Sequence, residues 1–482
     1  MRSSRLAAFF TSLSFFVIAA LVAGVVVGAM AQGADAPWLT GGLGVVESLG
    51  QVWLNALRMT VIPLVFSLLV TGIVSIADAA ATGRIAARSL MVFGVLLVGA
   101  TVYAILAGLG LLALWPIDPE AGRALLAGVP ADSAAVVGEA ARTDGLRAFL
   151  ASLAPANVVK AAADDGVLAV VVFAVAFGFA ATRIKADLRR PLAGFFEAVA
   201  ETMVVIVHWV LLAAPFGVFA LALGVGLRAG LGVAGTLAHY VAIVCLSQIG
   251  LILIVYGVAV VWGRIPLARF ARAVAPAQVV AVSTQSSLAS LPVMIERARD
   301  WLGVPQASAG LVLPLAVAVF RITSPVANLA VCLYVAQLNG IELGLGVLIA
   351  GGLTAIAVSI ASVGLPGQVS FFAAIGPICL AMGLPLGVLP LLLAVEVIPD
   401  IFRTVGNVTA DLAATRIVQG GDAEEEAEAA AASVVLGIRP SAAATEASTP
   451  RVTAGSGVIL NRGEWWPAAV STSACGVPPT LK

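Results

Sequence analysis

The stretch PDIFRTVGNVTADL, residues 399–412, places two carboxylates, an arginine and an asparagine in surroundings that are otherwise apolar. Such a concentration of charge is unusual for this chain, because only 11% of its 482 residues are charged and 61% are hydrophobic. The mean hydropathy is +1.08, whereas soluble domains carry about 25% charged residues. The composition therefore predicts that most of the chain lies in a lipid bilayer. Charged residues are costly there, so the polar stretch is expected to have a function.

Placed on one helix, the polar residues of this stretch and Glu396 before it form a single stripe. The stripe consists of Glu396, Asp400, Arg403, Thr404, Asn407 and Asp411. At about 3.6 residues per turn it spans an arc of about 100°, and ionisable groups inside a bilayer usually face a functional cavity. Arg403 could bind a carboxylate in a bidentate manner, and Asp400 could bind an ammonium group. Asn407 and Asp411 could supply oxygen ligands for a cation. The alternative is an Asp400–Arg403 salt bridge that only holds helices together.

The first half of the chain contains six apolar stretches about as long as a membrane-spanning helix, which needs about 20 residues. We predict spans at residues 6–33, 50–77, 89–115, 166–182, 202–227 and 235–262. The first exceeds the about 7–15 apolar residues of a signal peptide, so we interpret it as a membrane helix. Every second loop is basic, which predicts a cytoplasmic N-terminus.

The second half contains two long apolar stretches that are interrupted by serine, glycine and proline. The interruptions are STQSSLASLP, residues 283–292, and SIASVGLPGQVS, residues 359–370. We predict two re-entrant helical hairpins with legs of about ten residues, since broken backbone at membrane depth occurs beside protein or a water-filled cavity. A helix follows each hairpin, at 308–338 and at 385–417, which suggests an inverted repeat. The alternative is a pair of ordinary kinked helices.

These features together predict an all-α polytopic membrane protein with eight transmembrane helices, two re-entrant hairpins and inverted repeats. The predicted organisation has a six-helix half at residues 1–265, the two hairpins with their following helices at 266–418 and a disordered tail at 419–482, with both termini cytoplasmic. The four cysteines and two histidines form no disulfide framework or metal-binding pattern. Because no catalytic set stands out either, we expect neither an enzyme nor a cofactor.

Four segments resemble the dicarboxylate/amino acid:cation symporters, a family of glutamate, aspartate and C4-dicarboxylate transporters. The segments are MTVIPLVFSLLVTGIVSI, STQSSLASLPV, SVGLPG and DIFRTVGNVTADL, and the resemblance extends from about residue 10 to about residue 418. It implies a homotrimer in the plasma (inner) membrane that takes up a small acidic solute with Na⁺, H⁺ or both. No nucleic-acid partner is implied.

The same resemblance implies a role for individual residues. Arg403 corresponds to the arginine that holds the substrate's side-chain carboxylate, and Asp400 to the aspartate that holds its amino group. Thr404 and Asn407 match positions that touch substrate, and Asn407 with Asp411 matches a sodium site. The remaining predicted substrate positions, from the two hairpin tips and the helix between them, are Ser286, Ser287, Ser324, Gly364, Leu365 and Gly367.

The chain departs from the family at the motif NMDGT, where it reads FRITS, residues 320–324. Ile322 replaces the aspartate and cannot ligate a cation, while Arg321 adds a fixed positive charge. We therefore expect fewer sodium ions per cycle, with Glu396 as a candidate proton carrier. Arg321 has either a role in substrate binding or coupling, or a structural role beside Glu396 or Asp411.

The function predicted from the sequence is symport of an acidic amino acid, aspartate or glutamate, or of a C4-dicarboxylate. The alternative is an uncoupled or weakly coupled anion conduit in the same fold, with Arg321 and Arg403 lining a positive pore. A membrane sensor would require a folded output domain, which the residues after 419 do not resemble.

Overall fold

The described part of the protein is helical throughout. The computed structural model describes residues 13–31, 37–80, 83–127, 156–163, 167–229, 233–361 and 367–435, and these ranges contain no β-strand. Five of the described helical segments are long and apolar enough to cross a membrane, and several shorter apolar helices accompany them. The prediction of an all-helical polytopic membrane protein is confirmed at this level.

The first half is a series of helices that corresponds to the six predicted spans. Its helices are α1 (Leu13–Ala31), α2 (Pro37–Arg58), α3 (Val61–Ala80), α4 (Arg84–Leu114), α5 (Pro119–Ala127), α6 (Val158–Ala163), α7 (Val167–Ala181), α8 (Ala186–Leu212), α9 (Ala214–Ala229) and α10 (Val233–Val261). Two predicted boundaries were wrong. The second span begins earlier and is divided into α2 and α3, and the fifth begins earlier and is divided into α8 and α9.

The second half contains the two interrupted segments and the helices that follow them. Its helices are α11 (Leu267–Thr284), α12 (Ser287–Asp300), α13 (Gln306–Val319), α14 (Thr323–Leu338), α15 (Leu345–Ala361), α16 (Gly367–Ala381), α17 (Leu389–Ala394) and α18 (Val397–Val435). Residues up to Glu424 form one compact unit, and the helical residues from Glu425 to Val435 belong to a second. The last helix was predicted to end at Ile417. From residue 436 the predicted tail lies outside the described residues.

The structure contains a helix break within the first interrupted segment, as predicted, but the break is narrower than expected. Only Gln285 and Ser286 separate α11 from α12, and Gln285 ends α11 in the left-handed region with φ 51°. The legs contain 18 and 14 residues instead of about ten. Pro292 lies inside α12 and does not interrupt it. The tip of the second hairpin, residues 362–366, lies outside the described residues.

Four further breaks follow from prolines that lie at the beginning of a helix. Pro63, Pro325 and Pro399 are the third residues of α3, α14 and α18, and Pro215 is the second residue of α9. A proline has no N–H for the carbonyl four residues earlier and its ring clashes with that carbonyl, so it is tolerated in a first turn but not in the preceding helical path. The sequence analysis treated 308–338 and 385–417 as single helices, which was wrong.

The helix α14 is almost completely buried. Every side chain from Thr323 to Ala336 is buried, and the helix packs against α4, α10, α15 and α16. A helix that is apolar around its whole circumference must be enclosed by neighbours. The N-terminus of α14 is therefore held at a fixed place, next to the polar stripe of α18.

The pair α1 and α9 has an unusually close helix crossing. A Cβ atom added at Gly24 would lie 2.7 Å from the carbonyl oxygen of Phe219, and one added at Gly28 would lie against that of Leu223. On the partner helix, a Cβ at Gly226 would lie against the carbonyl oxygen of Val25. Small residues four positions apart let membrane helices approach to backbone contact.

This crossing predicts that Gly28→Ala destabilises the protein by about 1–3 kcal/mol, the usual cost of overpacking. The matched control is Gly94→Ala in α4, where an added Cβ meets no atom within 4 Å. The control should be neutral or slightly stabilising, because alanine is favoured over glycine in a helix by about 0.5–1 kcal/mol. Thermal unfolding of both variants in detergent is the measurement, and equal melting temperatures would contradict the close crossing.

Candidate functional site

The candidate site forms where the breaks before α14 and α18 lie next to each other. Proline at the third position of each helix ends the hydrogen-bond ladder, so the residues before it can leave the helical path. Val395 and Glu396 form the turn before α18, and Phe320 to Ile322 form the break before α14. Glu396 was predicted to lie on the last helix, and its place in the turn corrects that prediction.

Arg403 forms an ion pair with Glu396, seven residues earlier. The distance from Arg403 Nη2 to Glu396 Oε1 is 2.7 Å, and the two side chains are only 9% and 4% exposed. The second carboxylate oxygen, Oε2, accepts a hydrogen bond of 3.4 Å from the hydroxyl of Tyr240 on α10. The predicted alternative paired Arg403 with Asp400, whereas the ion pair is with Glu396.

Glu396 is therefore bound to the same guanidinium group, that of Arg403, which was predicted to bind a substrate carboxylate. A buried charge is costly unless it is paired and hydrogen-bonded. Here a carboxylate of the protein satisfies part of that requirement, while Arg403 Nε has no hydrogen-bond partner among the described residues. The guanidinium thus keeps donor capacity beyond the pair that it forms.

Asn407 is joined to the N-terminus of α14 through Thr323. Its amide oxygen accepts hydrogen bonds from the Thr323 hydroxyl at 2.8 Å and from the Thr323 backbone N–H at 3.2 Å. The same hydroxyl lies 3.0 Å from the carbonyl oxygen of Arg403. Gln248 on α10 donates to the Thr323 carbonyl oxygen at 3.3 Å. These contacts bring together α10, α14 and α18.

Asp411 is the most buried carboxylate of the stripe. It is 1% exposed, and neither of its carboxylate oxygens has a hydrogen-bond partner among the described residues. Arg321, in the break before α14, interacts electrostatically with Asp411, Asp400 and Arg403. A buried carboxylate without donors is unfavourable unless a proton or a cation joins it. The two oxygens of Asp411 therefore suit the predicted coupling role.

The other predicted substrate residues have local contacts of their own. The Ser286 hydroxyl oxygen caps α12 by accepting a hydrogen bond from the Ala289 N–H at 3.2 Å, and Ser287 is the first residue of that helix. The Ser324 hydroxyl accepts from the Asn328 amide at 3.1 Å. A helix N-terminus suits an anion, and the contact of these serines with a substrate carboxylate stays a prediction.

Thr404 and Asp400 lie on the first turns of α18. The Thr404 hydroxyl donates to the Asp400 carbonyl oxygen at 3.0 Å. Gly367 is the first residue of α16. Gly364 and Leu365 lie outside the described residues, so their predicted contact with substrate stays a prediction.

The sequence analysis missed three residues of this site: Tyr240, Gln248 and Thr323. The first two are polar residues eight positions apart in the apolar helix α10, so they share a face of it. That spacing is a signal that sequence reasoning could have used. Thr323 was harder to identify from the sequence, because it aligns with the glycine of the family motif NMDGT and glycine has no side chain to suggest a role.

An all-helical membrane protein with buried charges beside interrupted helices has the features of a secondary transporter. The chain belongs to the sodium:dicarboxylate symporter family, whose sequence profile matches residues 13–420. The predicted family is therefore confirmed, and with it the class, which is a transporter and not an enzyme.

Three similar proteins have names that state their solutes. The chain is 28% identical to the proton/glutamate-aspartate symporter of Escherichia coli (strain K12), over 84% of this chain and 92% of that protein. It is 26% identical to the C4-dicarboxylate transport protein of Rhizobium johnstonii, over 85% and 89% of the two chains. It is 27% identical to the proton/sodium-glutamate symport protein of Bacillus subtilis (strain 168), over 77% and 85%.

The lack of hydrogen-bond donors to the Asp411 carboxylate among the described residues predicts that stability and function separate at this position. In sodium-free buffer, Asp411→Asn should raise the melting temperature of the substrate-free protein, because it removes a buried charge that no hydrogen bond satisfies. Uptake of acidic solutes should be lost. Asp187→Asn, at an exposed position of α8, is the control and should change neither property. A lower melting temperature for Asp411→Asn would contradict the assignment.

Proposed function

We propose that the protein is a secondary active symporter that takes up an acidic amino acid or a C4-dicarboxylate together with protons. The observation that carries this proposal is the buried ion pair between Arg403 and Glu396, 2.7 Å long. The names of the similar proteins, which specify glutamate, aspartate and C4-dicarboxylates, support the class of solute.

In the proposed mechanism, a substrate carboxylate replaces Glu396 on the guanidinium of Arg403. Displacement would leave Glu396 charged and buried, and breaking a buried pair in this way costs about 3–5 kcal/mol. Protonation of Glu396 removes this cost, so a proton enters the site with each substrate carboxylate. Proton binding and substrate binding are then linked through one shared partner, Arg403.

The surroundings of Glu396 fit a group that changes protonation. Tyr240 on α10 donates to its carboxylate, and Cys245 on the same helix interacts with it electrostatically. Arg403 and Asp400 are the charged neighbours on α18. When Glu396 is neutral, the Tyr240 hydroxyl still serves as its hydrogen-bond partner, so neither protonation state is left without one.

The residues around Arg403 determine which acid binds. Asp400 suits the ammonium group of aspartate or glutamate. Arg321 interacts electrostatically with Asp400 and so offsets the negative charge that would attract that group. The balance between these two side chains decides between an amino acid and a C4-dicarboxylate, and we propose both classes as substrates to be tested.

The motif FRITS supports a reduced dependence on sodium. Phe320 is buried and stacks on Phe93 of α4, with ring centroids 4.6 Å apart and an interplanar angle of 12°. Ile322 is 3% exposed and also belongs to the hydrophobic core. Two positions that supply oxygen ligands in the family motif are thus filled by packed apolar side chains. Asp411 remains as the proposed cation or proton site.

We further propose the finer architecture that the family resemblance implied. It comprises eight transmembrane helices and two re-entrant hairpins arranged as inverted repeats, a scaffold at residues 1–265 and a transport core at 266–418. The protein would be a homotrimer in the plasma (inner) membrane with both termini in the cytoplasm. The tip SVGLPG would close over bound substrate.

Uptake into proteoliposomes tests this function and its coupling. With an inward proton gradient the protein should accumulate L-aspartate or succinate above the outside concentration, which the alternative, an uncoupled conduit, cannot do. Apparent affinity should rise as external pH falls, by at most about tenfold per pH unit for one linked proton. A steep dependence on several sodium ions without a pH effect would exclude proton coupling.

Glu396→Gln should abolish the pH dependence of substrate affinity, because glutamine is neutral at every pH and leaves Arg403 available. Glu342→Gln, at an exposed position before α15, is the matched control and should behave as the wild type. Equal pH profiles for Glu396→Gln and the control would argue against Glu396 as the proton carrier.

Arg403→Ala should weaken binding of acidic solutes at least about a hundredfold, since each factor of ten corresponds to about 1.4 kcal/mol. Because Arg403→Ala also leaves Glu396 unpaired, the double variant with Glu396→Gln separates substrate binding from folding. The double variant should fold and still fail to bind. Binding of unchanged affinity in a calorimetric titration would rule out Arg403 as the carboxylate-binding residue.

A further inference from the structure

We propose that three arginines from different helices form a binding site for the phosphate group of an anionic phospholipid. They are Arg269 near the beginning of α11, Arg297 near the end of α12 and Arg416 on α18, and together they are called the arginine cluster. The cluster shares no residue with the Arg403–Glu396 site. Lipid binding there is therefore independent of the solute that the protein transports.

Trp301, the residue that ends α12, brings two of these arginines together. The Nε–H of Arg269 donates to the Trp301 carbonyl oxygen at 2.7 Å, and the Cζ atom of Arg297 lies 5.7 Å from the centroid of the Trp301 ring. Arg416 interacts electrostatically with Arg269, and like charges repel each other. An anion bound among the three guanidinium groups would offset this repulsion.

Two of the three guanidinium groups also have an unused hydrogen-bond donor. The Nε atoms of Arg297 and Arg416 are buried, and neither has a hydrogen-bond partner among the described residues. A buried donor without an acceptor is unfavourable. Both side chains as a whole are only partly buried, so a side-chain rotation can present these donors to a ligand. Phosphate suits them, because a guanidinium group binds it through two parallel N–H···O bonds.

The described carboxylates beside the cluster do not neutralise it. The helices α11 and α12 contain four arginines but only two carboxylates, Glu296 and Asp300. Arg299 binds Asp300 with hydrogen bonds of 2.6 and 3.2 Å and also interacts with Glu296. Asp300 has a weaker, purely electrostatic interaction with Arg297. Because both carboxylates act on Arg299, the cluster keeps a net positive charge.

The cluster lies close to the place where a membrane helix ends. The helix α10 is long and apolar enough to cross a bilayer and ends at Val261, eight residues before Arg269. Between them, Trp262 and Leu267 are 46% and 56% exposed. Tryptophan is typical of the membrane–water interface, where lipid phosphates lie. A phospholipid could contact these apolar side chains as well as the arginines, which favours it over a free phosphate ion.

Native mass spectrometry of the purified full-length protein, titrated with dioleoylphosphatidylglycerol, tests the site. Arg297→Gln and Arg416→Gln should each bind this lipid at least about tenfold more weakly than the wild type, the effect of losing a hydrogen bond to a charged group. The matched control is Arg190→Gln, which removes the same charge at an exposed position near the beginning of α8, another helix long enough to span the membrane. The control should bind the lipid as the wild type does.

Two further ligands identify what the site recognises. Dioleoylphosphatidylcholine has the same acyl chains and a phosphate but no net charge, so it should bind more weakly than phosphatidylglycerol. Inorganic phosphate at the same concentration should not displace the lipid, because it lacks the acyl chains. Displacement by inorganic phosphate, or equal binding of the two lipids, would overturn the assignment to an anionic phospholipid.

The variants separate a specific site from a general attraction between arginines and anionic lipids. Equal weakening in Arg190→Gln would indicate only that general attraction and would refute the proposal. Unchanged lipid binding in folded Arg297→Gln and Arg416→Gln would also refute it, as expected if another part of the chain supplied the acceptor. If a glutamine variant does not fold, the lysine variant at that position, which keeps the charge but not the planar fork, supplies the comparison.

Discussion

The buried guanidinium of Arg403 is the constraint on which the site depends. A permanent positive charge in the interior of a membrane protein must have a negative partner at close range, since an unpaired one is far too costly. Glu396 provides that partner at 2.7 Å. In the proposed mechanism an acidic substrate takes the place of Glu396, so the free energy of the internal ion pair sets a threshold that substrate binding has to exceed.

Two helix breaks lie beside this ion pair. Pro325 and Pro399 each lack the N–H that would bond to the carbonyl oxygen four residues earlier. Those oxygens, on Arg321 and Val395, instead accept hydrogen bonds from the N–H groups of Ser324 at 3.0 Å and of Ile398 at 3.4 Å. At the first break, Gln248 of α10 also donates to the Thr323 carbonyl oxygen. Irregular backbone is tolerated here because nearby protein groups supply the hydrogen bonds.

The sequence predicted the polar stripe, the break in the first hairpin and the family, because each depends on a local pattern of residue types. It did not predict which prolines break a helix. Pro191, Pro276, Pro292, Pro314 and Pro377 lie inside continuous helices, whereas Pro325 and Pro399 follow breaks. A proline alone therefore does not determine where a helix ends, because a helix can continue through it at the cost of one backbone hydrogen bond.

The sequence also could not determine which carboxylate forms the ion pair with Arg403, because that depends on the tertiary structure. Asp400 and Glu396 both lie on the face of Arg403, at three and seven residues from it, and spacing favours the nearer one. The turn before α18 instead brings Glu396 to the guanidinium beside Tyr240. Contacts across helices likewise determine Thr323, whose position is fixed by the absence of a side chain at Gly406.

In the proposed mechanism Glu396 stands where a substrate carboxylate would bind. A group of the protein then satisfies the buried guanidinium of Arg403 when the ligand is absent. Glu396 can become neutral by taking up a proton, so it can leave its partner without remaining as a buried, unpaired charge. This exchangeable partner is what would link substrate binding to protons in the proposed mechanism.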